Sequence, residues 1–155
     1  MLNMETAMKM TGSRELLDLL NITLDLEYTL IVYYPRIASI IQDNEIKQLA
    51  QSLGIASIGH ADAVARTIIN LGGTPHWSFE SFPAEIDLKT IFEVQLDKEK
   101  YALKLHQQVV SLVTDSSMRD KFIGMVNDEE SHIKTVEQIL ERLSVLSIGA
   151  PCTLG

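Results

Sequence analysis

The chain is predicted to be all-α: a four-helix bundle of two antiparallel helical hairpins joined by one long crossover loop. Three observations predict this. Apolar residues recur every three or four positions through four long segments, the period of a helix that buries one face. Eight glycines and four prolines among 155 residues are too few for a turn-rich β architecture. The sequence also repeats itself at an offset of 72 residues. Leu20, Leu24, Glu27, Ile31, His60, Val64 and Ile68 map onto Phe92, Leu96, Glu99, Leu103, His132, Val136 and Leu140.

The elements follow in order. Residues 1–12 are Met-rich and polar and read as a flexible N-terminal tail, with the bundle domain at 13–144 and a second tail at 145–155. Ser13 is the expected N-cap of a first helix running to about Ile41. Its inward stripe is Leu16, Leu20, Leu24, Glu27, Ile31, Tyr34 and Ala38. Pro35 removes a backbone donor and is expected to kink this helix or end its regular part. Asp43-Asn44 reads as a turn and cap. The second helix spans about Glu45 to Leu71 with Leu49, Leu53, Ala56, Ser57, His60, Val64 and Ile68 inward. Gly54 and Gly59 inside it weaken the helix by about 1 kcal/mol each relative to Ala, which implies tight packing or a local irregularity. Gly72-Gly73-Thr74-Pro75 stops it.

A loop from about Gly73 to Glu85 carries His76, Trp77, Phe79 and Phe82, aromatics expected to pin it to the bundle, with Trp77 and the phenylalanines open to a dimer contact. The third helix runs from about Ile86 to Thr114, with Phe92, Leu96, Glu99, Leu103, His106 and Val110 inward. Ser117 is the candidate N-cap of a fourth, running to about Leu143, with Phe122, Met125, Glu129, His132, Val136 and Leu140 inward. Short turns make each hairpin antiparallel. A loop of about 13 residues spans at most about 45 Å, enough to run the length of a helix of about 40 Å. That makes the second and third helices parallel.

Composition narrows the function. A net charge of −8 argues against nucleic-acid or anionic-membrane partners and is most simply solubility. The single cysteine, Cys152, forms no internal disulfide and has no Cys-x-x-Cys partner, so a reducing cytoplasm is expected and no rubredoxin-type iron centre is encoded. No basic start precedes an apolar run, and no stretch reaches the length of a membrane span.

The chemistry sits on the inward stripes. Glu129 and His132 are three apart, on one helical face. The repeat places His60 opposite His132 and Glu27 opposite Glu99, but Ser57 where a second copy of Glu129 would stand. One buried carboxylate is tolerable when hydrogen-bonded. Glu27, Glu99 and Glu129 at one level repel unless a cation or shared protons offset them. Carboxylate plus imidazole suits iron, manganese or zinc.

These residues resemble the ferritin-like superfamily, closest to bacterioferritin and its relatives, over about residues 15–143. The resemblance is carried by Leu26-Glu27 with Tyr34 seven residues on, by His60-Ala61-Asp62 and Arg66 to Pro75, by Leu96-Asp97-Lys98-Glu99, and by Asp128-Glu129-Glu130-Ser131-His132-Ile133. It implies an oxygen-using di-iron centre of ferroxidase type. Glu27 and His60 would hold one metal, Glu99 and His132 the other, and Glu129 would bridge them, with Tyr34 a redox or supporting residue. Ser57 departs from the pattern where the family has a bridging glutamate. Ile58 stands where a haem-ligating methionine would fall, so no haem is expected. His106, seven residues after Glu99, is an addition, either a hydrogen-bond partner of Tyr34 or a displaced ligand. The implied function is iron handling, Fe(II) oxidation by oxygen or peroxide, or an oxidative-stress role, in a homodimer or larger homo-oligomer. The alternative is a non-catalytic module with a vestigial site that acts through protein partners.

Overall fold

The structure, a computed structural model, describes residues 3–84 and 87–148, with four helices and no strand among them. They are α1 (Met4–Ala38), α2 (Asn44–Asn70), α3 (Leu88–Leu112) and α4 (Ser116–Ile148). None is long and apolar enough to cross a membrane.

The helix ends differ from the sequence expectation in instructive ways. α1 starts at Met4, not after Ser13, because the Asn3 side chain caps it by accepting from the Glu5 N–H. The run between holds three Met with Glu5, Ala7 and Lys9, all good helix formers. α4 starts at Ser116 because Asp115, not Ser117, accepts the Met118 N–H at 2.9 Å. It continues past Leu143 to Ile148, and Cys152 lies outside the described residues. Pro35 lies within α1, which ends three residues later at Ala38. Asp43 caps α2 by accepting the Ile46 N–H. Both its carboxylate oxygens also take Arg142 of α4, at 3.1 and 3.0 Å, a two-pronged pair that fixes register between the helices. Gly72 adopts φ 81° at the end of α2, a left-handed turn that glycine makes without strain.

α1 packs along α2 and α3 along α4; α1 also meets α3, and α2 meets α4, leaving α1/α4 and α2/α3 as diagonals. Gly54 lies at a tight contact between α1 and α2. A Cβ there would sit 3.0 Å from Tyr34 Cβ, so a larger residue would push the neighbouring groups apart by a few tenths of an ångström. Gly59, by contrast, faces open space.

The crossover, residues 71–87, is held mainly by polar groups of α1. His76 N–H donates to Asn21 Oδ1 at 2.9 Å, Glu80 N–H to Thr29 Oγ1 at 3.0 Å, and Tyr33 OH to Ser81 O at 2.6 Å. Lys98 of α3 adds a 2.8 Å ion pair to Glu80. The strap thus runs along α1 from Asn21 towards its C-terminal end, so α3 starts there and runs parallel to α2. The aromatics contribute less than expected. Phe82 packs edge-on against Tyr33, but Trp77, though beside Tyr28, is 78% exposed and Phe79 is 46% exposed.

The core divides into two apolar clusters. One holds Leu30, Tyr34, Ile37, Ile46, Leu53, Phe92, Val136 and Ile139; the other holds Leu20, Leu24, Val64, Ile68, Val109, Phe122 and Met125. On α1, α2 and α4 the residues between these sets are Glu27, Ser57 with His60, and Glu129 with His132. A polar layer therefore crosses the bundle between two dry ones.

Candidate metal centre

Glu27, Glu99, Glu129 and His106 are fully buried, His60 is 5% exposed, and only the His132 side chain, at 13%, lies near the surface. They fall into two groups whose donor atoms lie within 4.8 Å of one another: Glu27, His60, His106 and Glu129, and Glu99, Glu129 and His132. Glu129 belongs to both. Its Oε1 is 2.8 Å from His60 Nδ1 and 3.7 Å from His106 Nε2, while its Oε2 is 3.3 Å from His132 Nδ1. Glu27 Oε1 is 2.9 Å from His106 Nε2 and 3.4 Å from His60 Nδ1. Glu99 Oε2 is 3.6 Å from His132 Nδ1.

Several of these atoms converge without bonding one another. Glu27 Oε2, Glu99 Oε2, Glu129 Oε1 and His60 Nδ1 are buried and lack a hydrogen-bond partner. His60 Nδ1 lies close to Glu129 but is not aligned as a hydrogen bond. Such orphans are costly in a core unless something else satisfies them. Divalent cations held by the two groups would supply partners for such atoms, and the oxygen and imidazole donors suit iron, manganese or zinc.

Neighbouring groups orient the donors. His60 Nε2 lies 2.9 Å from Asp128 Oδ2, which fixes the tautomer carrying Nε2–H and leaves Nδ1 for the centre. Asp128 thus reaches back from the surface, while Glu130 is exposed. Tyr34 OH donates to Glu99 Oε1, not to His106, so the Tyr34–His106 hydrogen bond offered as one alternative for His106 does not form. Ser57 is buried, but its hydroxyl donates to Leu53 O of its own helix at 3.3 Å and joins neither group. Gln95, one turn before Glu99, is a buried polar residue whose presence beside Tyr34 the sequence reading missed, although its spacing to Glu99 on an apolar stripe was a usable signal.

The electrostatics are those of a site where charges must share space. Burial disfavours charge on His60, but Glu129, Glu27 and Asp128 outweigh it and lift its pKa to about 11. His132 rises to about 9 against the same burial, through Glu129 and Glu99. Burial drives Glu99 upward, and Glu129 adds to it. Glu129 moves down despite burial, because His132 and His60 both face it. Burial and the Glu99 carboxylate together push the Tyr34 hydroxyl well up.

Residues 17–146 match the family described as Ferritin, the ferritin-like domain. The bacterioferritin of Mycolicibacterium paratuberculosis is 31% identical, with the match covering 92% of this chain and 96% of that protein. The chain belongs to the ferritin-like family. Solved structures agree on the fold. A ferritin-like, diiron-carboxylate protein of Bacillus anthracis superposes with a TM-score of 0.77 at 24% identity, over 83% of this chain and 97% of that one. A thioferritin of Bacteroides fragilis, described as dodecameric and bacterioferritin-related, gives 0.77 at 18% identity over 92% of each. The ferritin-like bundle thus carries a buried Glu/His group capable of holding metal ions.

Proposed function

We propose that this chain binds Fe(II) between its four helices and oxidises it, in an iron-handling or oxidative-stress role. The observation that carries the reading is Glu129, whose two carboxylate oxygens face two different donor groups, one with Glu27 and His60 and one with Glu99 and His132. Two ferrous ions each give up one electron. Together they reduce dioxygen to hydrogen peroxide, or peroxide to two waters, with two protons taken up in either case. The chain's own part is to bind and orient. Burial keeps bulk water from the donors, Asp128 holds His60 in one tautomer, and Tyr34 holds a proton against Glu99 where charge changes during turnover.

Ile58 offers no haem ligand atom, and no haem is part of this reading. A homodimer or larger homo-oligomer is proposed by analogy with the dodecameric Bacteroides fragilis protein. The acidic charge argues against a nucleic-acid partner, and the lone Cys152 favours a reducing compartment such as the cytoplasm. The test is anaerobic Fe(II) loading followed by metal analysis and then measurement of oxygen or peroxide consumption. The parent is expected to retain iron and consume oxidant; iron content no higher than in Glu129→Ala would end the reading.

One observation favours a second reading. Ser57 turns its hydroxyl onto its own helix and supplies no ligand. The protein would then be a non-catalytic ferritin-fold module that acts through protein partners. In that case Ser57→Glu confers metal binding and oxygen consumption that the parent lacks, and a parent that already turns over oxidant excludes it.

A further inference from the structure

The two donor groups differ in a way that reaches beyond simple iron oxidation, though the inference rests on the metal-binding reading above. The first takes one donor from each helix: Glu27 from α1, His60 from α2, His106 from α3 and Glu129 from α4. That is two imidazoles and two carboxylates, enough to close a tetrahedral shell without solvent, as in structural zinc sites. The second has three donors, Glu99, Glu129 and His132, all from α3 and α4, which leaves a position open. His106 creates the difference. It is completely buried, its Nε2 is hydrogen-bonded to Glu27 Oε1 at 2.9 Å, through a proton that a bound ion would displace, and lies 3.7 Å from Glu129, and its ring stands edge-on to His60 at 5.6 Å between centroids.

Charge points the same way. Glu27 and Glu129 neutralise one divalent ion in the first group. Glu99 is then the remaining buried carboxylate to face a second ion, since Ser57 contributes none. A second divalent ion meets a single negative charge and leaves one positive charge uncompensated, which a low-dielectric interior penalises strongly.

We propose that His106 is a metal ligand and that the centre is unequal: a four-ligand position that retains one divalent ion, beside a three-ligand position that takes up and releases a second. The ion in the closed position ties all four helices together. The exchanging ion sits in the position with room for solvent or oxidant.

The test is titration of the metal-free full-length protein with Co(II), read by calorimetry and by visible absorption, where tetrahedral cobalt absorbs far more strongly than five- or six-coordinate cobalt. The parent is expected to bind one tight equivalent with intense tetrahedral bands and a second at least about a hundredfold weaker, in line with the missing carboxylate charge. His106→Gln is expected to abolish the tetrahedral bands and weaken the tight equivalent by at least about tenfold, with its helical circular dichroism showing that it folds. Glu99→Gln is expected to remove the weak equivalent while leaving the bands intact, so the proposal remains testable if His106→Gln unfolds. Two equal equivalents, or a His106→Gln titration identical to the parent, would overturn the unequal centre while leaving metal binding standing. No cobalt bound by any variant would overturn metal binding itself, and the unequal centre with it.

Discussion

Ser57 and Glu129 occupy equivalent positions in the two hairpins, three residues before His60 and His132, yet they do opposite things. Glu129 reaches across the bundle and faces histidines of α2, α3 and α4. Ser57 folds back onto Leu53 of its own helix. The α3–α4 hairpin therefore supplies Glu99, His106, Glu129 and His132, and the α1–α2 hairpin only Glu27 and His60. A repeated scaffold does not impose a symmetric site. The backbone fixes where a donor can stand, and one side chain decides whether it does.

The largest contrast is expected in the metal-free protein. Glu129→Ala leaves His60 and His132 buried without their shared counter-charge and is expected to cost about 3–5 kcal/mol of stability. Ser57→Ala removes one within-helix hydrogen bond and is expected to cost about 1 kcal/mol or less. Urea melts of the two in chelator measure the difference, and equal losses would mean that Glu129 is not the electrostatic hub. Ser57→Glu attacks the asymmetry directly. It adds a fourth carboxylate to the polar layer and is expected to raise the affinity for a second divalent ion by at least about tenfold, read by calorimetry.

The pH dependence of the metal-free protein sharpens the comparison further. His60 and His132 have folded-state pKa values near 11 and 9, above the usual 6.5. Groups raised on folding contribute fully below the unfolded value and lose that contribution as pH climbs through the folded one. The raised Glu99 acts in the same direction, because the folded protein holds its proton more tightly. The melting temperature in chelator is therefore expected to fall between about pH 7 and about pH 10, each kcal/mol lowering it by roughly 2–4 °C, whereas metal affinity rises with pH as protons leave the ligands. A flat melting profile would mean that the histidines carry no extra proton. The smallest effect is expected from Asp128→Asn, which loosens the His60 tautomer and weakens the ion held by His60 by about tenfold. A chelator competition in which both ions weaken equally would show that Asp128 does not act through His60.

Much of this was legible in the chain. The 3.6-residue stripes placed Glu27, His60, Glu99, Glu129 and His132 on inward faces, because apolar periodicity reports burial whichever residue interrupts it. Loop lengths gave the parallel α2 and α3. Helix ends were less legible, since capping by Asn3 and Asp115 turns on single side-chain geometries that neighbouring Ser residues imitate. The strap was misjudged. Its aromatics suggested burial, while the groups that hold it, Asn21, Thr29 and Tyr33, lie some fifty residues upstream, and periodicity carries no information about contacts so distant. His106 was visible on its stripe, but its choice of Glu27 over Tyr34 depends on how far one helix is rotated against another.

The strap along α1 has a consequence for assembly of the chain itself. Each hairpin closes through a short turn and packs elements that are neighbours in sequence, the kind of local contact that forms early in folding. Glu27, His60, His106 and Glu129 are gathered only when the hairpins dock, the step governed by those seventeen linking residues, whereas Glu99, Glu129 and His132 all belong to the second hairpin. Breaking the polypeptide at Ser78, on the exposed outside of the linker, leaves both hairpins covalently intact. An ion that rejoined the two fragments would make metal uptake a measure of docking, separable from the folding of either piece.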